Sequence, residues 1–454
     1  MINKEHNTNK LYINLLVIHF GLAFLIYVYR PASTLIMFGA LAYFLFITIQ
    51  NENRNNEALM GAAYIAGAEV YFRMTGGMVF YETGKYMVIV FLVIGMFFKG
   101  TSSKTVPFWT YLMILIPGII VASITMSLET DFRKAIAFNL SGPVALGITA
   151  LYCYYKKIKK EDFQKVLLML LLPLISQMFY LYLYTPTLQQ GLISLSGNYA
   201  ATGGYGPNQI STVFGLGAFL LVTRLFTVKN KLINIIDLVL LGMMGYRAVI
   251  TFSRGGVFTA LICITAFLVL FYYKQDRKEQ TRTNFKMILL VVSVSLIWIF
   301  SSIKTFGLIE NRYENRDAAG VLKDDITTGR VELVTTELIA FYKHPFIGIG
   351  VGKGYEYRQE NLGIDIASHN EISRLLSEHG LLGVFALLIL IFVPVLFWSK
   401  FKNNYYFLAF VAFWFLTINH SAMRIALPAF VYGLALLYIV DEKKDPVHRK
   451  RLST

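Results

Sequence analysis

Residues 329–383 read GRVELVTTELIAFYKHPFIGIGVGKGYEYRQENLGIDIASHNEISRLLSEHGLLG, a polar stretch set in a chain that is otherwise a succession of apolar runs. It gathers Arg330, His344, His369, Asn370, Glu378 and His379. Lipid-spanning segments exclude such groups, because a charge or an unpaired dipole is costly in hydrocarbon. Pro345–Gly352 forms a glycine-rich turn within it. Leu333, Leu338, Ile339 and Phe341 space out as one face of a helix lying against the membrane. Ile372, Leu375 and Leu376 mark a second short helix, which leads through Glu378 to Gly380–Gly383 and the next apolar run. The stretch is therefore a long loop between two spans, and the place where chemistry is expected.

Outward from this loop, the chain has 454 residues, 56% of them hydrophobic and 15% charged, which no average soluble domain matches. Apolar runs of about 18 residues recur, each long enough to cross a hydrocarbon core roughly 30 Å thick. Spans are expected near 11–29, 32–50, 57–74, 84–98, 105–124, 134–155, 163–184, 208–227, 232–252, 256–273, 285–303, 380–398, 404–421 and 425–440. The fold class is an all-α polytopic membrane protein with about 12–14 transmembrane helices. A membrane barrel needs alternating ten-residue segments, which the sequence lacks. Four regions follow: an N-terminal bundle of about 11 helices over 1–303, the loop 304–379, C-terminal helices over 380–440, and a basic tail 441–454. The run Leu11–Tyr29, behind Lys4 and Lys10, is too long for a signal-peptide core and reads as a retained first span. Cys153 and Cys263 both fall inside spans, which argues against a disulfide framework or a metal site.

The net charge of +15 would suggest nucleic acid in a soluble protein. Its placement decides otherwise. Lys99, Lys104, the Lys156–Lys160 cluster, Lys229, Lys231, Lys274–Lys286, Lys400, Lys402 and the tail share one set of connections. The positive-inside rule makes that side cytoplasmic, with both termini, and sends 304–379 outward. Membrane lipid, not nucleic acid, is the partner of this charge. The outward 185–206 segment holds no Lys or Arg and ends in a glycine-rich run before Pro207 and Asn208, which suit a helix start.

Several polar residues are candidates for function. Ser253-Arg254-Gly255-Gly256 sits at an outward junction between spans, where a guanidinium beside a helix N-terminus suits an anion. The alternative there is an arginine that snorkels to the interface. Glu69 and Arg73, four apart on one helix face, either pair within the bundle or bind substrate. Arg247 either lines a polar cavity or makes a structural pair. Glu82 and Lys85 are expected at the solvated outer surface. His369 shares the outer face with Arg254 and Arg330, and imidazole is suited to accept a proton near neutral pH. His344, His379 and His420 are read as structural. Asp324-Asp325 reads as a hydrated loop pair, and no metal motif closes a span, so metal: none and cofactors: none are expected.

Taken together, Gly-Pro-Asn at a span start, Ser-Arg-Gly-Gly, Gly-Arg at 329–330, Pro-Phe-Ile-Gly-Ile-Gly-Val-Gly, His-Asn and Glu-His-Gly-Leu-Leu-Gly resemble the O-antigen ligase / Wzy-type polymerase superfamily. The resemblance covers roughly 200–440. It implies a GT-C-type fold in the bacterial cytoplasmic (inner) membrane, with a periplasmic active site in the long loop. It also implies a metal-independent inverting glycosyltransferase that moves a glycan from undecaprenyl diphosphate to an acceptor hydroxyl. That acceptor is lipid A-core or a growing glycan, in lipopolysaccharide and surface polysaccharide biosynthesis. Carried over, Arg254 and Arg330 hold the diphosphate and His369 is the base. Asn370 then orients His369 or a sugar, Asn208 shapes the donor groove, and Arg247, Glu69 and Arg73 are further substrate-binding candidates. The ligase label is preferred. The alternatives are a polymerase, a protein O-oligosaccharyltransferase and, from another class, a lipid-linked glycan transporter, which would show inverted repeats and mid-membrane ionisable groups.

Overall fold

A computed structural model describes residues 2–185, 198–317, 319–322, 329–363 and 366–440; Asp324-Asp325 and the basic tail lie outside the described residues. The described residues form eighteen helices and one two-stranded sheet. The first eleven helices are α1 (Ile2–Val28), α2 (Ala32–Gln50), α3 (Glu57–Thr75), α4 (Thr83–Lys99), α5 (Val106–Thr125), α6 (Phe132–Cys153), α7 (Lys160–Tyr184), α8 (Pro207–Thr227), α9 (Lys231–Val249), α10 (Arg254–Tyr273) and α11 (Arg277–Lys304). Four short helices fill the polar connection: α12 (Leu308–Tyr313), α13 (Arg330–Lys343), α14 (Gly354–Leu362) and α15 (Glu371–His379). The chain then completes α16 (Leu381–Lys400), α17 (Phe407–His420) and α18 (Ala426–Ala435).

Ten helices are long and apolar enough to cross a membrane: α1, α2, α5 to α11, and α16. With α3, α4, α17 and α18 they account for all fourteen expected segments. This is an all-α, multi-pass membrane protein. The two short helices expected in the loop also form, as α13 and α15.

The last expected span differs from its prediction. Over 425–440 the helix stops at Ala435, and Tyr438–Val440 forms a strand parallel to Lys157–Lys159. Every residue of the ten-residue α18 is buried, packed against α6 and α17. A helix enclosed by protein has no need to match the thickness of the lipid. The same holds for α3, where Glu57 and Glu69 are buried among neighbouring helices.

The glycine turn seats the polar connection on the bundle. Gly348, Gly350 and Gly352 all have left-handed φ values, of 71°, 95° and 83°. This backbone lets the Ile349 and Gly350 amides donate to the Ser377 and Glu378 carbonyls, and the Val351 amide to the Gly118 carbonyl of α5. A Cβ on Gly350 would lie 2.5 Å from the Ala122 amide nitrogen. Gly350→Ala therefore meets strained φ and a backbone clash together, a loss of about 2–5 kcal/mol. A thermal midpoint no lower than that of the parent protein would refute this account of the turn.

Inside α15, buried Arg374 pairs with Glu371 and, at 2.5 Å, with Glu378, and donates to the Asn139 carbonyl of α6 at 3.0 Å. Burial nonetheless pushes the Glu378 carboxyl up to about 7, against the pull of Arg374 and the Gly352 amide.

Candidate active site

At the end of the bundle that carries the polar connection, a cleft of about 380 Å³ opens between α8, α10, α12, α13, the 368–370 segment and the end of α17. Its walls include Asn208, Arg254, Arg312, Arg330, His369, Asn370, Asn419 and His420.

Arg254 is positioned by the close approach of α8 and α10. Ser211 Oγ donates to the Ser253 carbonyl at 2.8 Å, and Ser253 Oγ donates to Asn208 Oδ1 at 2.7 Å. A Cβ on Gly256 would sit 2.3 Å from the Ser211 carbonyl carbon, so a side chain there would separate the two helices. Gly255 leaves room for the His420 ring, which would lie 2.7 Å from an added Cβ. The two glycines thus bring Asn208, Arg254 and His420 to one wall. Arg254 Nη1 donates to Asn315 Oδ1 at 2.5 Å.

Arg330 is the first residue of α13, after Gly329 at φ 75°. Arg312 of α12 donates through Nε to the Phe252 carbonyl at 2.9 Å. Burial lowers the pKa of Arg312 and of Arg330, and the nearby Arg254 guanidinium lowers both further. Three guanidiniums thus share one partly desolvated space. Among the described residues none of the three is in an ion pair with a carboxylate. Such a site attracts a compact polyanion.

His369 faces these cations from the segment before α15. Its carbonyl accepts from the Ala422 amide at 3.1 Å, and Arg424 donates to the carbonyls of Ala367 and Ser368. The next residue, Asn370, caps α15 by accepting from the amides of Ile372 and Ser373, and its Nδ2 donates to Asn419 Oδ1. Glu337 of α13 binds Arg358 at 2.7 Å and Ser373 Oγ, locking α13, α14 and α15 together. His369 Nδ1 is buried without a hydrogen-bond partner. Burial first, then the charges of Arg424, Arg330, His420 and Arg358, push the imidazole down to about 4. The ring is therefore neutral at physiological pH and free to accept a proton.

Of the residues singled out from sequence, Asn208, Arg254, Arg330, His369 and Asn370 meet at this cleft. Glu69, Arg73 and Arg247 do not line it. Glu69 and Arg73 form a buried ion pair. Glu69 also accepts from the Ala426 amide, while Arg73 donates to the Arg424 carbonyl and stacks on Tyr81. Their polar atoms serve the α17–α18 connection, where the pair holds the backbone at Arg424 and Ala426. Arg247 bonds to Thr185 and to the Leu181 carbonyl, across the α7–α9 interface. Lys85, expected at a solvated surface, is fully buried. His344 and His379 stay outside the cleft, whereas His420, read as structural, forms part of its wall. The His420 Nδ1 donates to the Leu416 carbonyl and its Nε2 meets Thr212 Oγ1 at 3.1 Å. Among the described residues no three His, Cys, Asp or Glu side chains gather as a metal site.

Fold and cleft together define a multi-pass helical membrane protein with a cationic, histidine-bearing recess at one end of its bundle. Residues 238–388 match a protein family described as O-antigen ligase. The match runs from α9 into α16 and carries Arg247, Arg254, Arg330, His369 and Asn370. It bears out, over that stretch, the resemblance read from the motifs. No curated protein matches the chain.

Proposed function

We propose that this protein transfers a glycan from undecaprenyl diphosphate to an acceptor hydroxyl at the outer face of the bacterial cytoplasmic membrane, in the manner of an O-antigen ligase. The observation that carries this reading is the convergence of Arg254, Arg330 and His369 on one cleft. Arg254 and Arg330, joined by Arg312, grip the diphosphate. His369 takes the proton of the acceptor hydroxyl as its oxygen bonds to the anomeric carbon. The bond from that carbon to the diphosphate breaks, the electron pair leaves with the phosphate oxygen, and the guanidiniums stabilise the growing charge. Attack opposite the leaving group inverts the anomeric centre. Guanidiniums supply the neutralising charge, so the reaction runs without a metal. The placement of basic residues supports cytoplasmic termini and an outward cleft.

Reconstitution into vesicles with a labelled lipid-linked glycan tests the proposal. The transferase releases undecaprenyl diphosphate and moves label to an acceptor; movement of intact lipid-linked glycan across the bilayer would instead make the protein a transporter. In a deletion strain, a ligase leaves lipid-linked polymer unattached, whereas a polymerase leaves single repeats on lipid A.

The electrostatics of the cleft give a pH signature. With the cleft empty, burial first and then the charges of Arg424, Arg330 and Arg358 hold the His369 imidazole near 4. A bound diphosphate offsets part of that field, so the proton affinity of the imidazole rises when donor is in place. A general base must be neutral to act, so rate falls as pH drops through its pKa. The acid limb of kcat/KM for the donor, which reports the free enzyme, falls near pH 4. The limb of kcat, which reports the complex, falls at higher pH. Coincident limbs would show that donor charge does not reach the imidazole.

A further inference from the structure

A second recess, of about 680 Å³, runs between α7, α9 and α11. Its length wall is apolar, from Leu238 and Val239 on α9 to Leu296 and Phe300 on α11, and Arg247 and Lys304 stand at one end. Val239, Leu296 and Phe300 are 58%, 60% and 48% exposed, so the recess opens sideways, toward the surrounding lipid. At 1.5 Å per residue it extends about 14 Å along α9 from Leu238 to Arg247, and about 17 Å along α11 from Ser293 to Lys304. That depth is one leaflet of a hydrocarbon core roughly 30 Å thick.

The charged end is as informative as the apolar wall. Arg247 is 3% exposed, yet its partners are the Thr185 hydroxyl, two carbonyls and the face of Tyr182. Its Nε is buried with no partner. No carboxylate pairs with it among the described residues, and residues 186–197, which follow Thr185, contain no Asp or Glu. A buried guanidinium without a counter-charge is costly, and an arriving anion relieves that cost. Lys304 adds a second, exposed cation at the same end. Within the apolar wall, Gly242 of α9 has nothing within 4 Å of where a Cβ would stand. Space is open there for a chain from outside the protein.

We infer that this recess holds an anionic phospholipid of the leaflet on the cleft side. Its phosphate sits on Arg247 and Lys304, and one acyl chain lies along Gly242 between α9 and α11. The site is separate from the reaction cleft. The two share no lining residue. The lipid is thus a resident that fixes the loosely packed α11, not the reacting donor, and the inference stands whether or not the cleft performs glycosyl transfer.

The test uses the full chain in liposomes of phosphatidylglycerol or phosphatidylcholine, with a photoreactive group on the acyl chain. Phosphatidylglycerol should label 238–243 and 293–300 in preference to phosphatidylcholine. Gly242→Leu fills open space, so the thermal midpoint holds. By displacing about two methylenes it cuts labelling roughly tenfold. Lys304→Gln lowers the preference for phosphatidylglycerol about fivefold, the weight of one lipid-facing cation. Arg247→Gln, which also breaks the link to α7, is read only alongside these two. Equal labelling by both lipids, or labelling indifferent to Gly242→Leu, overturns the proposal. So does displacement by an equimolar polyprenyl diphosphate, which would assign the recess to the donor's own chain.

Discussion

His369→Ala lowers glycan transfer by about 10²–10⁴-fold, the contribution of one positioned general base, and leaves membrane insertion and donor binding intact. The separation of these effects follows from how His369 is held. None of the structural bonds of the segment uses the His369 side chain: the His369 carbonyl accepts from Ala422, the Ala367 and Ser368 carbonyls accept from Arg424, and the Asn370 side chain caps α15. An alanine keeps all of them. What is lost is an imidazole whose Nδ1 bonds to nothing in the protein, so stability should be little changed. The measurement is product formed per folded enzyme with a lipid-linked donor, together with donor affinity. A variant that transfers glycan at the parent rate would remove His369 from the reaction. One that loses donor binding in step with rate would make it a binding residue instead.

Arg330→Lys costs about 10²-fold in kcat, on the scale of removing one donor from a site that stabilises developing charge. The charge survives the change, so a purely electrostatic account would predict almost no effect. The geometry predicts otherwise. Arg330 opens α13 after a left-handed glycine and lines the same cleft as Arg254. A planar fork can hold two phosphate oxygens at once, whereas an ammonium is a point charge on a flexible stem. Arg254→Lys should fail likewise, with added disturbance from the loss of the bond to Asn315. Parent-like kcat in both lysine variants would leave charge as the whole contribution and discard the bidentate grip.

The fourteen apolar segments were legible because a membrane core imposes a length that composition reveals. Arg254, Arg330 and His369 were legible for a related reason: polar groups beside spans need an explanation. Three features were hidden. The shortness of α18 depends on its enclosure by α6 and α17, which no local property of residues 425–440 encodes. His420 closes an apolar run and looked like a satisfied core histidine, and it is indeed bonded to Leu416 and Thr212. Its exposure to the cleft is created by the missing side chain of Gly255, far away in sequence. The paired glycines after Arg254 and the paired Asn419-His420 were the available signal, though each carries meaning only once the helices are placed. Arg312 was lost among the charges of a long connection, where sequence offers no way to tell an inward guanidinium from a solvated one. Lys85 was misplaced because the start of α4 packs tightly on α3, with Gly84 against the Glu69 side chain, which encloses the lysine.

The ion pair of Glu69 and Arg73 lies far upstream of the segment that matches the O-antigen ligase family, yet it grips the backbone at Arg424 and Ala426. Arg424 in turn braces the carbonyls just ahead of His369. The amino-terminal half therefore braces the segment that carries His369 as well as supplying membrane helices. Chimaeras that graft residues 198–440, which include Arg424 and Ala426, onto a foreign amino-terminal bundle should insert normally and stay inert until a matching acid–arginine pair is restored on the third helix.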